Sequence, residues 1–99
     1  MAGYGTVARM RVKPGMEQAF IQAVKETESV PVPGVVRVYL YQTDADSREF
    51  YLAVIFDSRA TYVTNAQSPD QHQRYLQLRQ YLETDPDWHD GTIVFAGPD

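Results

Sequence analysis

Few side chains in this sequence can exchange a proton or polarise a substrate near neutral pH. His72 and His89 are its two histidines. Their separation matches none of the short spacings by which one helix or strand grips a metal, so no metal site is expected from them. His72 stands early in the second half of a long helical region, where an imidazole would give or take a proton at the mouth of a pocket; the plainer reading is a solvated helix residue. His89 adjoins Trp88 in Asp87-Trp88-His89-Asp90 and reads as a turn histidine. Asn65 follows Tyr62 by three residues, so on a helix both point the same way. With His72 and Tyr75 they would supply polar groups to a pocket between helix and sheet, the usual form of a small-molecule site. Asn is mildly unfavourable inside a helix, which sets a role for Asn65 against an incidental surface residue.

Other constellations point away from common chemistries. Asp85, Asp87 and Asp90 lack the spacing and closing Glu of a calcium loop and read as an acidic turn. Arg9, Arg11 and Arg37 fall on corresponding strand faces, either as ion pairs or as a bidentate anion grip. The sequence has no cysteine, which excludes disulfides, thiolate metal sites and a cysteine nucleophile. Gly3-Tyr4-Gly5 is too short to cradle phosphate. Rossmann, phosphate-loop and serine-elbow signatures do not occur, and no cofactor is expected.

These side chains need a frame. Tyr4 to Val12 alternates, with Thr6, Ala8, Met10 and Val12 opposite Val7, Arg9 and Arg11, and predicts a strand. Met16 to Glu28 puts Met16, Ala19, Phe20, Ala23 and Val24 on one face of a helix begun after Pro14-Gly15. Val35 to Gln42 and Phe50 to Asp57 read as a hairpin around Thr43–Ser47. Ser58 caps a second helix from Arg59. Pro69 interrupts it, with Ser68 as a fresh cap, and the helix resumes to about Glu83 with Tyr75, Leu78 and Leu82 on one stripe. Gly91 to Ala96 is the expected last strand. The order βαββαβ predicts one ferredoxin-like α+β domain over residues 1–99: a four-stranded antiparallel sheet with the helices on one face.

Composition agrees with a single small domain. The 99 residues are 43% hydrophobic and 22% charged, so the chain is globular with one thin core. A net charge of −4 argues against nucleic acid and against an anionic membrane surface. No apolar run approaches a membrane helix. The start, Met1-Ala2-Gly3-Tyr4-Gly5, has neither the charged nor the apolar region of a signal peptide. A cytoplasmic location is the resulting expectation.

The hairpin strands are apolar on both sides: Val36, Val38 and Leu40 oppose Val35, Arg37, Tyr39 and Tyr41, and Phe50, Leu52, Val54 and Phe56 oppose Tyr51, Ala53 and Ile55. One face belongs under the helices; a second apolar face of this size marks an interface. The expectation is a homodimer joined through the sheet face. Parity alone does not say which face, and the alternative is a monomer with a solvated, tyrosine-rich face.

Several turns and element joints carry a resemblance. They are Val7-Ala8-Arg9-Met10-Arg11-Val12 with Lys13-Pro14-Gly15-Met16-Glu17, then Val32-Pro33-Gly34-Val35-Val36, Phe56-Asp57-Ser58-Arg59-Ala60, and Ser68-Pro69-Asp70-Gln71-His72. Through them the chain resembles the dimeric α/β-barrel superfamily, and more closely its antibiotic-biosynthesis-monooxygenase-type domains. The resemblance implies two ferredoxin-like units with sheets paired into a barrel. It also implies a pocket between sheet and helices, where polar and aromatic side chains activate a phenolic substrate without a cofactor. Asn65, His72 and Trp88 are residue types used in such pockets. The haem-degrading branch places an Asn on the first strand, which this chain lacks.

Two functions follow. One is a cofactor-independent monooxygenase of a small aromatic or quinol-type substrate, with His72 and Asn65 catalytic and Tyr62, Tyr75 and Trp88 against the substrate. The other is a non-catalytic dimeric module that binds a small aromatic ligand or only itself. An open apolar cleft containing His72 or Asn65 favours the first; a cleft filled by its own side chains favours the second.

Overall fold

A computed structural model describes residues 3–98, so Met1 and Ala2 of the expected leaderless start lie outside the described residues. The elements run β1 (Tyr4–Arg11), α1 (Glu17–Thr27), β2 (Val35–Gln42), β3 (Glu49–Phe56), α2 (Arg59–Ala66), α3 (Pro69–Arg79) and β4 (Asp87–Thr92). The strands form one antiparallel sheet in the order β2-β3-β1-β4. This is the ferredoxin-like arrangement, with the helical layer in three pieces.

The core lies between the sheet and the helices because alternation along β1 and β3 sends one apolar set to that side. Ala8 and Met10 of β1, Phe50 and Leu52 of β3, Phe20 and Val24 of α1 and Leu78 of α3 form one buried cluster. Phe20 is its centre: it is fully buried, edge-on to Phe50 at 5.1 Å between ring centroids and to Tyr81 at 6.4 Å.

The expected break at Pro69 is present. Ser58 Oγ accepts from the Thr61 N–H, and Ser68 Oγ accepts from the Gln71 N–H at 3.0 Å with Pro69 in the first turn. This second start turns the chain between α2 and α3 and brings the end of one helix against the beginning of the next. Gly34, at φ +89°, passes so close to the Thr61 side chain that a Cβ would lie 2.5 Å from it, so the turn into β2 requires glycine.

Three expectations need correction. The last strand is Asp87–Thr92, four residues earlier than Gly91–Ala96. Its pairing with Tyr4–Arg9 of β1 sets the register, and every residue of this edge strand is exposed, so no apolar alternation marks it. The apolar Val94 and Phe95 beyond it are 94% and 83% exposed. Second, α3 ends at Arg79 rather than near Glu83, and Leu82 forms an isolated bridge with Val12. Third, the pairing of β2 with β3 slips between Val35 and Arg37. This bulge reverses the local alternation: Val35 turns toward the helices with Val38 and Leu40, while Val36 is exposed.

The face away from the helices carries Val7, Arg9, Tyr39, Tyr41, Tyr51 and Ile55. Val7, Tyr39 and Tyr41 are exposed, and Tyr41 and Tyr51 pack with centroids 5.5 Å apart. Two arginines of the sequence reading find carboxylates within the chain: Arg9 pairs with Glu49, and Arg11 with Asp46 and Glu83. Arg37 lies over the Tyr39 ring at 5.9 Å instead.

Candidate functional site

A cavity of about 410 Å³ opens between the sheet and the α2–α3 pair. Its apolar wall comes from both layers: Met10, Leu52, Val54 and Phe56 from the strands, Leu78 and the following Leu82 from the helical side. The five residues singled out from sequence, Tyr62, Asn65, His72, Tyr75 and Trp88, all line it. The helix break explains this convergence. Tyr62 and Asn65 project from α2, while His72 and Tyr75 project from α3 after the chain has turned. Trp88 enters from β4, because its register opposite Ala8 puts it on the helix-facing side. His89, opposite Val7, takes the other face, where it pairs with Asp87 at 3.1 Å. It is a strand residue rather than a turn residue and does not line the cavity.

The cavity wall carries two polar clusters. At one, Asn65 Nδ2 donates to Gln71 Oε1 at 3.2 Å, and Arg74 Nη2 donates to both Asn65 Oδ1 and Gln71 Oε1 at 3.1 Å. Asn65 is thus held in orientation by one residue on each side of its amide. His72 sits nearby at the exposed mouth. Glu28, at the end of α1, also lines the wall. Burial pushes its carboxyl up, and the positive charge of Arg74 pulls partly the other way.

At the other, the Thr6 hydroxyl donates to Asp90 Oδ1 at 2.7 Å. Tyr62 is packed against Phe56 and Tyr4, with ring centroids 5.3 and 5.1 Å away. Burial first, and then the neighbouring Asp90 carboxylate, push the Tyr62 phenol up to about 12. Tyr62 therefore stays protonated at neutral pH and acts as a donor, not as a base. Because the folded state favours the neutral phenol, its contribution to stability is full below about pH 10 and declines toward pH 12. Spectrophotometric titration is expected to show a phenolic ionisation near pH 12 that Tyr62→Phe removes; persistence of that step in the variant contradicts the assignment.

Sequence reasoning missed Gln71, Arg74, Glu28, Thr6 and Asp90 as pocket residues. The first two carried a signal: 71, 74, 75 and 78 follow helical spacing on the stripe that Leu78 buries, so polar residues there face inward. Asp90 was hidden by the misplaced last strand.

Comparison with known proteins now bears on this arrangement. A family model described as antibiotic biosynthesis monooxygenase matches residues 3–78. The chain belongs to that family. No curated protein matches the sequence. Among solved structures, a provisionally designated antibiotic biosynthesis monooxygenase from Bordetella bronchiseptica is similar at 18% identity and TM-score 0.84, covering 96% of this chain and 100% of that one. A conserved protein from Methanosarcina mazei Go1 is 17% identical, with TM-score 0.79 and 92% of each chain covered. SnoaB, a cofactor-independent oxygenase from Streptomyces nogalater, is 16% identical, with TM-score 0.76, covering 99% of this chain and 97% of its own. At these identities the likeness is one of fold. In this family member no described helix is long and apolar enough to cross a membrane.

Proposed function

We propose that the chain is a cofactor-independent monooxygenase of a small aromatic or quinol-type substrate, acting as a homodimer through the open sheet face. The observation that carries this reading is the open apolar cleft between sheet and helices, with His72 and Asn65 both in its wall. A cleft filled by its own side chains would have favoured a non-catalytic dimeric module that binds a small aromatic ligand or only itself.

The chemistry asks little of the protein. An anthrone or hydroquinone becomes reducing toward oxygen once it loses a proton. His72, at the mouth, takes that proton as general base. Tyr62 as a neutral donor, and the Asn65 amide fixed by Gln71 and Arg74, orient the resulting anion. Leu52, Val54, Phe56 and Leu78 exclude water from it, while Tyr75 and Trp88 give the ring its flat contacts. For an anthrone the balance is a CH₂ group and O₂ going to a carbonyl and water: the substrate supplies all the electrons, so neither flavin nor metal is required.

Oxygen uptake over a panel of hydroquinones and anthrones tests the reading. Uptake by the protein is expected to exceed that of the His72→Ala, Asn65→Ala double variant by about 10²–10⁴-fold, the usual weight of a positioned general base. Uptake no faster than the double variant across the panel contradicts it.

A further inference from the structure

We infer that Arg74 is the anion receptor of this cavity, so that the pocket selects aromatic ligands carrying a carboxylate or a comparably acidic group over their neutral counterparts. The inference rests on the cavity being the ligand site, and adds the class of ligand. Four other arginines, Arg9, Arg11, Arg48 and Arg79, each have a carboxylate of the chain as partner. Arg74 does not: among the described residues its partners are the two neutral amide oxygens of Asn65 and Gln71, both reached from Nη2. A guanidinium has five donors in a fixed fork. The donors of Nε and Nη1 have no acceptor among the described residues. Nε and Nη1 lie on opposite edges of the guanidinium, each beside the engaged Nη2, so each is free to give a carboxylate oxygen a single charge-assisted bond.

Its surroundings have room for such a group. Arg74 is half-buried, and with Val32 and Asn65 it forms a wall shared by the main cavity and a second cavity of about 390 Å³ under the Val30–Pro33 loop. Glu28 feels the Arg74 charge but lies beyond ion-pair distance, so it neutralises the field only in part. The other polar cluster of the wall, with Asp90, repels anions and accepts hydroxyl donors. An acidic hydroxyarene would therefore lie with its acid at Arg74 and its hydroxyl toward Asp90.

Trp88, the sole tryptophan and a cavity residue, reports occupancy by its fluorescence. The probes are 3-phenylpropionate and 3-phenylpropan-1-ol, one ring and chain differing in the acid. At low salt the wild type is expected to bind the acid at least about tenfold tighter, the worth of one charge-assisted pair. Arg74→Met is expected to bring the two within about twofold, the acid losing far more affinity than the alcohol. A merely structural Arg74 would weaken both probes together. In the wild type alone, raising sodium chloride from roughly 20 mM to 0.5 M is expected to narrow the preference, a reading that does not depend on the variant's folding. Equal binding of the two probes, binding of neither, a preference retained by Arg74→Met, or one indifferent to salt overturns the inference. Selective binding without oxygen uptake would contradict the oxygenase reading and leave this one standing.

Discussion

Ala53→Arg is expected to convert the proposed dimer to a monomer in sedimentation at micromolar concentration. Ala53 stands in the middle of the open face, paired across the sheet with Val7 on one side and Tyr39 on the other. Around it lie the exposed rings of Tyr39 and Tyr41 and the half-buried Tyr51 and Ile55. A phenol suits such a position, since its ring is buried while its hydroxyl finds a partner. Two such faces, packed together, would place two copies of residue 53 near the symmetry axis. An arginine there brings a buried charge without a carboxylate, a cost of about 3–5 kcal/mol. At 1.4 kcal/mol per decade, the dissociation constant rises at least a hundredfold. The single chain loses nothing comparable, because residue 53 points away from the core. A wild type that sediments as a monomer, or a variant that remains as dimeric as the wild type, contradicts the face-to-face dimer.

Phe20→Ala is expected to have the largest effect on stability. Phe20 is fully buried, and its ring joins α1 to β3 through Phe50 and to the end of the helical layer through Tyr81. Deleting a ring from such a site removes its burial and leaves a cavity, about 3–5 kcal/mol together. In a domain of this length each kcal/mol moves the melting temperature by about 4–8 °C, so a fall of roughly 15–30 °C is expected. Both proteins must be melted at one concentration, since the proposed dimerisation would contribute to apparent stability. A shift below about 5 °C would mean the core closes around the loss. Phe20 does not line the cavity, so this variant tests the scaffold and not the site.

The parts of this fold legible in the sequence are those where burial writes a period into it. Thr6, Ala8 and Met10 alternate because one side of β1 is covered, and Phe20 and Val24 repeat at helical spacing because α1 lies on that cover. Ser68-Pro69 announces the α2–α3 break through a capping hydroxyl and a missing N–H, both local effects. That break is what brings Asn65 and Gln71 within 3.2 Å, so much of the site was readable as well. The failures have the opposite cause. Asp87–Thr92 is held by β1 alone and carries no buried alternation, so only pairing reveals it, and Asp90 reads in the sequence as part of an acidic turn rather than as a cavity residue. The slip at Val36 depends on how β2 meets β3, which no single strand encodes. Arg74 shares a helix face with Tyr75 and Leu78, a spacing that places it on the cavity side.

Oxygen gas enriched in the heavy isotope, supplied to the chelator-treated protein with the most active substrate of the anthrone and hydroquinone panel, tests the oxygenase reading most directly. The expected product carries one labelled oxygen from the gas, formed at a rate that falls at least about a hundredfold in the His72→Ala, Asn65→Ala double variant. A product whose new oxygen comes from water, or a labelled product formed as fast by the double variant, would contradict catalysis in this cavity.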